Sequence, residues 1–386
     1  MKSATTPEFH IPTQVFLKED ILAEAGEICT LFGSRAVLAT TSADFNQFQD
    51  VIENIAQTLK NSNVSCIIYD EMPTSLDTEY LDSASSFLKK TQCDLIIGFG
   101  GLESINAAKA AAVLVNNFIF ADELHSTENL KPPVNLVTMP AFPLFGFEIS
   151  PMLYLNDIHD NVKKLFKRRD LFPVGTIIDP SIATYIDDEV TARTSVATLG
   201  IATESVISKK NNSFTNTLAL RAIDLVFKSL PAAYRDSQSI AHRIELSTAS
   251  VMAGLAFTTT ELSASLALAL ALSSTTEIDV PTAIGVILPH IMEYNLTSSP
   301  GKYVHMSKVM DEDVKEITVI EAAIKAVEGV RRMEIDVDIP QRLSQFNITK
   351  ADFARAADIA VSYPLLDNAP RPLTKNEFET IMIAAF

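Results

Sequence analysis

The sequence predicts an α/β N-terminal domain built on a parallel, Rossmann-like sheet, followed by an all-helical C-terminal domain. Two observations carry this prediction. Through the first 180 residues short apolar runs alternate with helical patterns at the spacing of βαβ units. After Asp179-Pro180 the β-rich runs stop and helical periodicity takes over. The domains are therefore expected at residues 1–180 and 181–386, with the cleft between them as the default place for a small molecule.

The elements follow in order. Residues 35–40 read as a strand and 45–59 as a helix. Residues 64–69 read as a second strand, ending in the turn-like Met72-Pro73-Thr74. A helix over 81–88, a strand over 94–98, a helix over 102–115 and a strand over 134–139 complete the alternation. Beyond Pro180, residues 188–208, 214–229, 241–255, 262–272 and 283–294 read as helices. Residues 266–272 alternate Leu and Ala, which by period alone would suit a strand. Leu and Ala are strong helix formers, however, and a helix apolar on every side is a buried one.

Composition narrows the partners. Hydrophobic residues make up 47% and charged residues 20%, ordinary values for a globular chain. The formal net charge is −17, so nucleic acid and anionic membrane are poor partners. The one dense basic run, Lys163, Lys164, Lys167, Arg168 and Arg169, reads as a solvated helix or loop face. Cys29, Cys66 and Cys93 form no CxxC pair and are expected to be free thiols in a reducing compartment. Residues 1–12 carry no apolar signal core, and the longest apolar stretch, 262–272, is too short to span a membrane. A cytoplasmic location is expected.

Several landmarks occur in a fixed order. They are Phe9-His10-Ile11-Pro12-Thr13, then Asp94-Leu95-Ile96-Ile97-Gly98-Phe99-Gly100-Gly101 running into Ala107-Ala108-Lys109, then Ile177-Ile178-Asp179-Pro180. Met252-Ala253-Gly254-Leu255-Ala256-Phe257, the run from Ile287 to Asn295 around Pro289-His290, and Asn368-Ala369-Pro370-Arg371-Pro372-Leu373-Thr374 follow. Together they resemble the iron-containing (group III) alcohol dehydrogenases, from about residue 9 to the end. The resemblance implies a dehydroquinate synthase-like fold, an opening strand at 9–13, a homodimer, and hydride transfer between a nicotinamide dinucleotide and an alcohol or aldehyde.

It also implies a metal held by one Asp and three His, and here the chain departs from the pattern. Those four positions fall on Ala197, Ile201, Leu266 and Val280, and Leu270 stands where many members carry a further His. None can donate a lone pair, so no metal ligand is expected. Glu204 matches the family's glutamate after the first His. Glu261 replaces a glycine and is a candidate new polar group in the cleft or a solvated helix residue.

The family's pyrophosphate turn reads Gly100-Gly101-Leu102-Glu103-Ser104-Ile105-Asn106, followed by Lys109. Gly100, Gly101, Asn106 and Lys109 are the residues that would remain for a dinucleotide, with Thr41 where many members have the ribose-binding Asp. Leu102 and Glu103 oppose a diphosphate. The second cofactor loop, Ala141 to Glu148, has become rich in phenylalanine. It reads as a hydrophobic plug, or else as an apolar ligand or partner surface. No cofactor is expected, NAD or NADP being what the degraded turn would take.

Three functions are consistent with these residues. The chain is a non-catalytic binding, regulatory or scaffolding member; or an NAD(P)-dependent oxidoreductase with an atypical or metal-free site; or an enzyme of another type using Glu204 or Glu261 as acid or base.

Overall fold

The computed structural model describes residues 9–386. They divide into two compact units, one of residues 12–191 and 232–248, the other of 9–11, 192–231 and 249–386. In chain order the first 180 residues give β1 (Gln14–Leu17), α1 (Ala25–Cys29), β2 (Arg35–Thr41), α2 (Ser42–Asn61), β3 (Ser65–Met72) and α3 (Thr78–Thr91). Then come β4 (Leu95–Gly100), α4 (Leu102–Asn116), β5 (Asn135–Pro140), β6 (Met152–Asp157), β7 (Val162–Lys167) and β8 (Gly175–Ile178).

Six of these strands form one parallel sheet in the order β1-β8-β5-β4-β2-β3. A central parallel strand is covered on both faces, so its residues are apolar without alternation. β4 shows this, with all six residues buried. One face of the sheet packs Leu38, Ile97, Phe99, Val137 and Ile177 against Ile52, Ile55 and Leu59 of α2. α4 lies very close to its own strand. A Cβ on Gly98 would stand 2.6 Å from the Ala108 methyl, so glycine is what permits the approach.

The structure corrects two expectations in this part. The opening strand is β1 at Gln14–Leu17, and residues 9–13 are not strand. Pro12 has no N–H to give a ladder, and the ladder starts with Gln14 N–H donating to the Val174 carbonyl. Ile177-Ile178 is the end of strand β8, and the chain turns after it at Asp179-Pro180. Asp179 then accepts from the N–H groups of Asp20, Leu22 and Ser181. The basic run is largely strand rather than a helix or loop face, only Arg168 and Arg169 lying beyond the strand end. Lys163, Lys164 and Lys167 lie on β7, which forms an antiparallel hairpin with β6. Its charges are matched locally, Lys164 by Asp157 and Asp160 and Arg168 by Asp170.

The helices after Asp179 are α5 (Asp188–Ile207), α6 (Ser213–Arg235), α7 (Ile240–Thr260), α8 (Ala264–Thr275), α9 (Val280–Leu296) and α10 (Pro300–Val309). α11 (Val319–Asp336), α12 (Lys350–Ala360) and α13 (Lys375–Ala384) close the chain. The Leu/Ala segment is helical, as composition favoured, and is buried almost throughout. It starts at Ala264 because Ser263 caps it, its hydroxyl accepting from the Leu266 N–H. Asp279 likewise caps α9 through the Thr282 N–H, with Pro281 in the first turn, where its missing N–H costs nothing. Among the described residues no single helix is long and apolar enough to cross a membrane.

Candidate functional site

Ala197 and Ile201 sit one turn apart on α5, Leu266 and Leu270 one turn apart on α8, and Val280 opens α9. All are buried, Val280 retaining only 3% exposure. The three helices are tightly packed. A Cβ on Gly200 of α5 would stand 2.9 Å from Ile284 of α9 and 3.5 Å from the Ser265 hydroxyl. A Cβ on Gly285 of α9 would meet Val196 of α5 at 3.5 Å.

A tetrahedral metal site requires lone pairs converging at about 2.0–2.2 Å. Ala197, Ile201, Leu266 and Val280 carry only hydrocarbon. Among the described residues no three His, Cys, Asp or Glu side chains are grouped so as to hold a metal ion. The residues at these positions do not fit iron.

The two carboxylates singled out from the sequence have different surroundings. Glu204, on α5, is fully buried against the start of α8. It accepts from the N–H groups of Ala264 (2.5 Å) and Ser265 (2.9 Å), from the Ser263 hydroxyl (3.2 Å) and from the Ser265 hydroxyl. Burial pushes its carboxyl above the usual range, against the pull of these donors. Its partners are the orphan groups of a helix end, which is the arrangement of a structural cap.

Glu261 has a left-handed backbone, φ 50°, and its N–H donates to the Phe257 carbonyl where α7 ends. Its carboxylate pairs with Lys210. It is therefore neither a plain helix residue nor a lone acid, and the left-handed geometry suits the glycine that the family resemblance implies there. Glu261→Gly should raise stability by about 0.5–1 kcal/mol in urea unfolding. A left-handed penalty of about 1–2 kcal/mol is relieved, at the expense of a weak surface pair. A loss of stability would mean that the ion pair outweighs the strain.

The glycine-rich turn joins β4 to α4. Gly100 has φ +126°, and Gly101 is the N-cap of a 15-residue helix. This backbone is half of a phosphate cradle. The side chains have other partners. Asn106 donates to the Leu102 carbonyl at 2.9 Å and accepts from the Tyr154 N–H of β6 at 3.0 Å. Lys109 is fully buried and donates to the carbonyls of Phe147 (2.5 Å), Ser150 (2.9 Å) and Met152 (2.8 Å). Thr41 caps α2 and its N–H donates to the Ser104 hydroxyl. Asn106 and Lys109 thus hold the 147–154 segment in place. The phenylalanine loop is no partner surface, since Leu144, Phe145 and Phe147 are buried. Phe145 and Phe147 stack edge to face, and a Cβ on Gly101 would lie 3.2 Å from the Phe142 ring.

Sequence reasoning missed Asp44. Its Oδ2 accepts from the Gly101 N–H at 2.9 Å, the Ser104 hydroxyl at 2.5 Å and the Thr41 hydroxyl at 3.2 Å. The signal that could have found it is Thr41-Ser42-Ala43-Asp44, the spacing of a helix N-terminus.

A parallel sheet with a glycine-rich strand–turn–helix, followed in the chain by a helical bundle, defines a two-part α/β and all-α fold of the nucleotide-binding type. The chain belongs to the iron-containing alcohol dehydrogenase family. Residues 12–180 match the model for iron-containing alcohol dehydrogenase, and residues 191–386 match the C-terminal model of the Fe-containing alcohol dehydrogenase family. It is 26% identical over 385 residues to the 1,3-propanediol dehydrogenase of Klebsiella pneumoniae, covering 98% of each chain. Its fold is similar to that of the alcohol dehydrogenase from Oenococcus oeni, with TM-score 0.94, 22% identity and coverage of 99% and 100%. It is also similar to sulfoacetaldehyde reductase from Bifidobacterium kashiwanohense in complex with NAD+, with TM-score 0.86, 20% identity and 99% coverage of both chains.

These findings overturn the expectation of no cofactor. The family is iron-containing by description, its relatives are dehydrogenases, and a protein of the same fold is seen with NAD+. Leu102 and Glu103 oppose a diphosphate by bulk and by charge. The backbone that makes a phosphate cradle is nonetheless retained at Gly100 and Gly101.

Proposed function

We propose that this chain is a family member that has given up metal-assisted hydride transfer and acts as a binding, regulatory or scaffolding protein, with a dinucleotide as the ligand of its β4–α4 turn. The observation that carries the first part is the burial of hydrocarbon side chains at all four ligand positions, Ala197, Ile201, Leu266 and Val280. The dinucleotide comes from the relatives and is supported by the retained glycine backbone. Leu102, Glu103 and Phe142 remain as the features that such a ligand has to accommodate.

In the family the metal polarises the reacting oxygen, which supplies several kcal/mol to the transition state. Without it, turnover of ethanol, butanol or 1,3-propanediol with NAD or NADP should lie at least about a thousandfold below that of an active relative, equivalent to roughly 4 kcal/mol. Elemental analysis of protein produced with iron and zinc should show neither in stoichiometric amount. Stoichiometric metal, lost together with activity on chelation, would sink the proposal.

A second reading is an NAD(P)-dependent oxidoreductase acting on an alcohol or aldehyde through a metal-free site. The observation favouring it is the similarity to 1,3-propanediol dehydrogenase along 98% of the chain. NAD(P)-linked turnover at a relative's rate in metal-free protein would select it.

A further inference from the structure

We propose that Asp44 sets how tightly this chain holds a dinucleotide, because its carboxylate already occupies the anion position of the β4–α4 turn. The inference rests on the dinucleotide reading above, but on neither its catalytic nor its metal part. A helix N-terminus draws one negative charge to its free N–H groups. At α4 that charge is supplied from within the chain. The Gly101 N–H and the Ser104 hydroxyl both point at Asp44 Oδ2, and a Cβ on Gly100 would lie only 2.2 Å from that oxygen. The glycine whose bareness would let a phosphate approach is thus filled by an aspartate side chain.

Asp44 stands in the first turn of α2, which Thr41 caps, so the carboxylate bridges the ends of β2 and β4. The side chain is only partly buried, and Ser42 and Ala43 before it are exposed. It therefore has room to turn outward. A diphosphate reaching Gly101 has to displace the carboxylate or sit beside it, and either course weakens binding. Like charges a few ångströms apart repel strongly at a partly buried site. A ligand without phosphate meets no such penalty. Asp44 would thus act as a self-supplied anion that holds the turn closed until a nucleotide competes for it.

The test is calorimetric titration of the full chain with NADH, ADP and adenosine, in the parent, Asp44→Asn and Asp44→Ala. Asp44→Asn keeps an oxygen to accept from Gly101 and Ser104 and removes only the charge, so it remains informative if Asp44→Ala fails to fold. The expected result is NADH and ADP binding about tenfold tighter or more in the variants, with adenosine unchanged. Unchanged NADH and ADP affinity, including no binding by any form, would overturn the proposal. Equal tightening for adenosine would overturn it as well, because the effect would then be one of space rather than charge. Turnover is not read in this experiment, so its outcome is separate from the fate of the proposed non-catalytic role.

Discussion

Replacing Glu204 by alanine should destabilise the protein by about 3–5 kcal/mol, measured by urea unfolding. The reason lies in α8. That helix is apolar on every side and buried almost throughout, so no solvent reaches the N–H groups of its first turn. Each orphan donor left in an apolar surrounding costs about 1–3 kcal/mol. Glu204 meets the N–H groups of Ala264 and Ser265, while Ser263 takes that of Leu266 and itself donates to Glu204. Removing the carboxylate strands two backbone donors and leaves the Ser263 and Ser265 hydroxyls only each other as acceptors. Glu204→Gln should fare little better, since its amide NH2 would face N–H groups that need an acceptor. If Glu204 were instead a catalytic acid with spare bonding, alanine would leave stability within about 1 kcal/mol of the parent.

The contrast between Glu204 and its neighbours shows what could be read from the chain alone. Strands β2, β4 and β5 were legible because buried parallel strands announce themselves as uninterrupted apolar runs. The helical nature of residues 264–275 was legible because Leu and Ala outweigh their misleading alternation. The β6–β7 hairpin was not legible. β7 is half lysine, and its pairing with Asp157 and Asp160 is visible only once the strands are side by side. The four hydrocarbon positions could be named by resemblance, whereas the packing of Gly200 against Ile284 could not. Direction was the commonest loss. The phenylalanines of 142–147 were countable, but their inward orientation depends on Phe145 at φ 44° and Gly146 at φ 91° turning the loop. Asp44 was lost for a similar reason, as its partners Gly101 and Ser104 lie 57 and 60 residues away in the chain.

Lys109 gives the second large expected effect. In a phosphate-binding turn this lysine would be free to meet an anion. Here its three donors are directed at the carbonyls of Phe147, Ser150 and Met152, and the ring of Phe147 lies 5.6 Å from its Nζ. It fastens the buried loop and strand β6 to α4. Lys109→Met keeps the length and the apolar stem but leaves the carbonyls of Ser150 and Met152 without a donor, while that of Phe147 keeps the Ser150 N–H. At about 1–3 kcal/mol each, partly recovered by relaxation, the loss should be about 2–4 kcal/mol in urea unfolding at neutral pH. The pH dependence has a definite sign. Burial pushes the Lys109 ammonium down to about 7, with Glu148 pulling the other way. Between that value and the ordinary 10.5 of the unfolded chain, the unfolded state holds the extra proton, so this group favours folding more as pH rises. The stability gap between parent and Lys109→Met should therefore widen from pH 7 to pH 10, and should be smallest at or below pH 7. A gap that narrows over that range would show that the ammonium is the form the fold prefers. A Lys109→Met variant as stable as its parent would return the lysine to the role of a free phosphate ligand.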